Sequence, residues 1–127
     1  MIKGINHYNL RSDEETMNAL KDFYINIVGL KLGERPAFKS TGFWLSAEGK
    51  DVLHLSSTKS NEVRDHHVNS TFDHLAFSAS EPDKLKETLN QNKVKYRERE
   101  VPNLGLLQIF AEDPNGITVE INYYNQQ

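Results

Sequence analysis

The chain says nearly the same thing twice. His7 lies in Ile5-Asn6-His7-Tyr8-Asn9-Leu10, and His74 follows 67 positions later (74 − 7) in Phe72-Asp73-His74-Leu75-Ala76-Phe77. His54, in Val52-Leu53-His54-Leu55, is answered 66 positions later (120 − 54) by Glu120, in Thr118-Val119-Glu120-Ile121. A repeat constrains the fold strongly, because each unit needs a partner to cover what it leaves exposed. Here the repeat also places four side chains with metal-binding capacity at equivalent positions.

The periodicities read as two copies of one pattern. Ile2 to Leu10 alternates as a strand in which Ile5, His7 and Asn9 share a face. Ser12 and Glu15 make a capping box. Met17, Leu20, Tyr24 and Ile27 then recur at helical spacing, and Gly29 ends the helix. Leu30–Phe38, Gly42–Ala47 and Val52–Ser56 read as strands, the last two joined by the turn Glu48-Gly49-Lys50-Asp51. In the second copy, Phe72–Ser78 is a strand and Ser80-Glu81-Pro82-Asp83 opens a helix with Leu85 and Leu89 as its buried pair. Val94–Val101, Leu106–Ala111 and Thr118–Tyr123 supply three more strands, with a turn at Asp113-Pro114-Asn115-Gly116.

The expectation is an α+β fold: two tandem βαβββ modules forming a curved eight-stranded mixed sheet around a concave metal site. The chain reads as a single domain over 1–127, with module one at 1–59, a polar linker at 60–70 and module two at 71–127.

Composition narrows the function. With a net charge of −3 and no basic stripe, nucleic acid is not expected as a partner. The absence of cysteine excludes disulfides, thiolate ligands and a cysteine nucleophile. There is no signal-like leader and no apolar run of membrane-spanning length, so a cytoplasmic location without membrane contact is expected.

The candidate chemistry follows from the faces. Thr118, Glu120 and Asn122 alternate with Ile117, Val119 and Ile121, so the polar row points away from the helix side. A carboxylate held in such a hollow needs a partner or a metal, and imidazoles beside it favour the metal. His7, His74 and Glu120 suit one divalent ion (Fe, Mn, Zn, Ni or Co) with positions left open for substrate or water. His54 reads as a fourth ligand, a group behind the ligands or a donor to substrate. His66 and His67 read as solvated linker residues. Phe43, Trp44 and Phe110 read as core or cavity wall. Gln108 reads as facing the hollow or as an ordinary sheet residue; Arg97 and Arg99 read as contacts for an anionic substrate or as a solvated face.

These residues resemble the vicinal oxygen chelate superfamily, the group of glyoxalases, bleomycin resistance proteins and extradiol dioxygenases. The resemblance spans nearly the whole chain. It rests on the paired βαβββ units, on His7 and His74, and on Asp113-Pro114-Asn115-Gly116 followed by Glu120. It implies that His7, His74 and Glu120 form a metal triad, that the substrate chelates the ion through vicinal oxygens, and that the protein is a homodimer. In many members of the group the site combines residues from both chains.

The departures are informative. Glyoxalase I has a second glutamate where His54 stands, and extradiol dioxygenases have a tyrosine where Phe110 stands. Fosfomycin resistance enzymes carry a loop that Asn103–Gln108 does not match. Bleomycin-type binders lack the metal residues that this chain retains.

The leading expectation is therefore a metal-dependent enzyme with isomerase or lyase chemistry on a small oxygen-rich metabolite, with Glu120 and His54 as catalytic groups. An Fe(II) dioxygenase on the same triad, and a small-molecule (drug) binding protein without turnover, are the alternatives.

Overall fold

Asp13, rather than Ser12, starts the first helix. Its carboxylate accepts from the backbone N–H of Thr16 at 2.8 Å, a stronger cap than a hydroxyl supplies, and Ser12 instead ends a strand. In the computed structural model, which describes residues 1–36, 41–67 and 70–125, the chain divides into two units, Met1–Asp65 and His66–Gln127.

The first unit runs β1 (Tyr8–Ser12), α1 (Glu14–Phe23), β2 (Lys31–Leu32), β3 (Gly42–Ala47) and β4 (Lys50–Ser57). Its sheet has the order β1-β4-β3-β2, with β1 parallel to β4 and the other pairs antiparallel. Helix α1 continues into a π-helical turn over Tyr24–Val28, which Gly29 closes at φ +97°. The apolar stripe Met17, Leu20, Phe23 and Tyr24 is buried as α1 packs on β4 and β1. Leu45, Leu53 and Leu55 are buried too.

Two of the expected strands in this unit are shorter than the sequence suggests. β1 begins at Tyr8, where pairing with β4 starts opposite Leu53. β2 stops at Leu32, since only Lys31 and Leu32 find partners on β3; Ala37 and Phe38, in the expected strand, lie outside the described residues. The hairpin between β3 and β4 turns on two residues, Glu48 (φ +50°) and Gly49 (φ +80°), matching the twist of the strands it joins.

The second unit repeats the plan: β5 (His74–Ser78), α2 (Pro82–Gln91), β6 (Tyr96–Val101), β7 (Leu106–Glu112) and β8 (Thr118–Tyr124). The sheet order is β5-β8-β7-β6, with β5 parallel to β8. All eight expected strands are present, and hydrogen bonding divides them four and four, because β1 and β5 each pair with a single neighbour. On α2, Leu89 is buried and Leu85 is half-buried, while Lys86 Nζ reaches Glu98 of β6 at 2.6 Å.

The turn before β8 is built by one buried carboxylate. Asp113 Oδ1 accepts from the N–H groups of Asn115 (2.8 Å) and Ile117 (3.0 Å), and Gly116 takes φ +81°. His67 is not merely solvated. Its N–H donates to Asn115 Oδ1 at 3.3 Å, and a Cβ added at Gly116 would lie 2.6 Å from its Nδ1. No helix among the described residues is long and apolar enough to cross a membrane.

Gly116→Ala is expected to destabilise the protein more than Gly49→Ala. Both incur a left-handed backbone penalty of roughly 1 kcal/mol, but only Gly116 has a neighbour in the way. Urea unfolding of the two variants tests this, and Gly116→Ala with His67→Ala should recover part of the difference.

Candidate functional site

In β4, Leu53 and Leu55 face α1, so His54 emerges on the opposite side between Val52 and Ser56. There it sits beside Trp44 of β3, to which it is directly paired, and Asn9 of β1. The Trp44 and His54 rings stack nearly parallel, 3° apart in plane with centroids at 4.2 Å. His7, just ahead of β1, lays its ring on His54 at 3.8 Å. His54 is 8% exposed, and its Nε2 has no hydrogen-bond partner among the described residues. Burial lowers its proton affinity below the usual histidine value, with His7 and Arg35 pushing the same way and Asp51 opposing. A neutral imidazole with an unused nitrogen results.

This face borders an open cavity of about 720 Å³ that includes His7, Trp44, Asp51, Arg35 and Arg11 among its walls. Arg11 is held in place by Glu62, which accepts from its Nε at 2.8 Å and its Nη2 at 2.6 Å. Arg64 Nε also donates to Glu62, at 2.9 Å. The segment read as linker thus returns to the sheet through one carboxylate. Ser56 Oγ accepts from Arg11 Nη1 at 3.3 Å and donates to Asn9 Oδ1 at 2.9 Å.

The second unit gathers the other two candidates. On the face away from α2, β8 presents Thr118, Glu120 and Asn122, and β5 presents His74 at its first position. His74 Nε2 lies 3.6 Å from Glu120 Oε1. Asn122 Nδ2 donates to Glu120 Oε2 at 2.9 Å, and Gln108 Nε2 donates to Asn122 Oδ1 at 3.1 Å. The carboxylate is therefore anchored through one oxygen while the other faces the imidazole.

The two histidines nearest the repeat boundaries are oriented in the same way. His7 Nδ1 and Asn6 Oδ1 are 2.8 Å apart, and His74 Nδ1 and Asp73 Oδ2 are also 2.8 Å apart. Each acceptor calls for the proton on Nδ1, and in the neutral ring this places the lone pair on Nε2. This is how metal-ligating imidazoles are commonly held. Asn6 and Asp73 had no role assigned from the sequence, although an acceptor directly precedes both repeated histidines; Asn122 was expected only to share the face of Glu120.

The structure thus brings His7 to His54 within the first unit and His74 to Glu120 within the second. Among the described residues, neither unit alone gathers three His, Cys, Asp or Glu side chains into a group able to hold an ion. The donors available, imidazole nitrogen and carboxylate oxygen, fit Fe, Mn, Zn, Ni or Co.

Arg11 and Arg64 hold the Glu62 carboxyl well below the usual carboxylate range. A depressed folded pKa stabilises the protein above the unfolded value, near pH 4.3, and that contribution is lost as pH falls further. Glu62→Gln should melt below wild type at pH 7, with the gap narrowing below about pH 4 and in high salt.

Among solved structures, the fold is similar to that of a glyoxalase-family protein from Bacillus anthracis, at 17% identity and TM-score 0.72, with 98% of each chain covered. It is equally similar to the fosfomycin resistance protein FosX from Listeria monocytogenes, at 19% identity and TM-score 0.72, covering 98% of this chain and 96% of that one. A variant of that FosX, solved with Mn(II) and 1S,2S-dihydroxypropylphosphonic acid, matches at 19% identity and TM-score 0.69, covering 98% and 95%. At these identities the likeness is one of fold. A comparison with curated proteins found no match. The family profile matches residues 4–121, nearly the whole chain, and on that ground the protein belongs to the Glyoxalase/Bleomycin resistance protein/Dioxygenase superfamily.

Proposed function

We propose that the protein is a divalent-metal-dependent enzyme of the glyoxalase-like type, carrying out isomerase or lyase chemistry on a small oxygen-rich metabolite. His7, His74 and Glu120 serve as ligands, and His54 as a fourth ligand or a proton carrier. The protein acts as a cytoplasmic homodimer. The observation that carries this reading is the approach of His74 Nε2 to Glu120 Oε1, with Asp73 and Asn122 fixing the two side chains from behind. A carboxylate and an imidazole lone pair aimed at one another from rigid strands are preorganised donors. The Mn(II) held by the FosX variant is consistent with a divalent ion on this fold.

A bound divalent ion supplies Lewis acidity, stabilising negative charge that develops on substrate oxygens. The chain's own residues do the rest. In the neutral rings of His74 and His7, the acceptors Asp73 and Asn6 select the tautomer whose lone pair is on Nε2. Asn122 restrains Glu120 so that Oε1 remains the available oxygen. His54, neutral at physiological pH because burial disfavours its charged form, accepts a proton at Nε2 and returns it. Trp44 stacks on that ring and limits its rotation. Phe110, where extradiol dioxygenases carry tyrosine, gives the isomerase or lyase reading precedence over oxygen activation.

Chelator-stripped protein reconstituted with Mn(II) or Zn(II) is expected to bind about one ion per chain. His74→Ala and Glu120→Ala should abolish that binding, and Asp73→Ala should weaken it by roughly 10–100-fold. Wild-type protein that retains none of Fe, Mn, Zn, Ni or Co, by elemental analysis after gel filtration, contradicts the proposal.

A further inference from the structure

Strand β6 sorts its charges by face. In Tyr96-Arg97-Glu98-Arg99-Glu100-Val101, alternation sends both arginines to one side and both glutamates to the other. Glu98 pairs with Lys86 of α2 at 2.6 Å, so the glutamates lie on the helix side. The arginines consequently share the face of Glu120. Register confirms this: Arg97 pairs with Phe110, which pairs with Glu120, and Arg99 pairs with Gln108, which pairs with Asn122. Two strand spacings separate Arg97 from Glu120, roughly 10 Å at the backbone.

The Arg97 side chain does not simply extend into solvent from the sheet edge. Its guanidinium carbon lies 4.1 Å from the centroid of the Phe110 ring, which draws the charge over the sheet toward β8. An open cleft of about 680 Å³ lies beside Arg97 and Phe110. Among the described residues no carboxylate forms an ion pair with Arg97 or Arg99. Charges on an edge strand also deter edge-to-edge pairing, but that purpose needs neither both arginines on the Glu120 face nor the stacking on Phe110.

The geometry points to an anion subsite in which Arg97 and Arg99 hold the acid group of the substrate, a carboxylate, phosphate or phosphonate, on the same sheet face as His74 and Glu120. It rests on the function proposed above and narrows the substrate to an oxygen-rich metabolite bearing an acid group a few bonds from the chelating oxygens. Guanidinium forks suit such oxygens, since each offers parallel N–H donors.

The full chain is titrated with methylphosphonate and, separately, with acetate at constant ionic strength, metal-free and loaded with Zn(II). Binding is followed by NMR of the arginine Nε–H signals. One or both anions should bind the metal-free protein, and the tighter of the two identifies the acid class. Replacing both arginines (Arg97→Gln with Arg99→Gln) should weaken that binding by roughly tenfold or more. Arg97→Lys with Arg99→Lys should retain part of it, and Glu98→Gln, on the helix face, should leave it unchanged. Zn(II) binding is measured on the same samples, so loss of the metal reading is seen separately from loss of the subsite. The subsite is overturned if neither anion binds wild type at tens of millimolar, a range in which one weak fork alone would register. It is equally overturned if the double Gln variant binds the anions as wild type does.

Discussion

Leu53 and Leu55 are each 1% exposed, and in an extended strand that leaves His54 nowhere to point but the other face. Burying two such leucines stabilises the unit by roughly 1.5–3 kcal/mol apiece. Leaving the Nε2 of His54 buried without a partner costs about 1–3 kcal/mol. The leucines win, and the polar face inherits an imidazole with an unused nitrogen. Val119 and Ile121 impose the same order on Glu120 in β8, where Asn122 relieves part of the cost through its hydrogen bond. The helix side fixes the fold, and the other side receives the chemistry as a consequence.

Duplication gives each unit a related pair of polar side chains. Each unit begins with an acceptor–histidine dipeptide, Asn6-His7 or Asp73-His74, whose internal hydrogen bond is 2.8 Å long in both. Each closes with a donor on the strand parallel to that start, His54 on β4 or Glu120 on β8. The halves differ in these side chains. The first holds a stacked, desolvated imidazole between aromatic neighbours; the second holds an anchored carboxylate with arginines two strands away.

Strand alternation and helical spacing made the two βαβββ units legible, and with them the faces on which His54 and Glu120 lie. What alternation does not encode is where pairing starts. Ile5 and His7 alternate as a strand would, but the ladder between β1 and β4 starts only at Tyr8 opposite Leu53. Local competition was also hidden: Ser12 and Asp13 are both capping residues, and the carboxylate takes the helix N-terminus. The contacts of Trp44 with His54, Arg11 with Glu62 and His67 with the turn at Gly116 depend on tertiary approach across many residues. The polar acceptors before His7 and His74 were in plain view and carried meaning only once the ring nitrogens were placed.

Offering Nε2 to an ion is the role proposed for these imidazoles, and nitrogen NMR of the histidine rings in metal-free and Zn(II)-titrated protein tests it most directly. His7 and His74 should carry their protons on Nδ1 in the metal-free state, and their Nε2 resonances should move on addition of Zn(II). Protonation on Nε2 in the metal-free protein, or Nε2 signals indifferent to the metal, would contradict it.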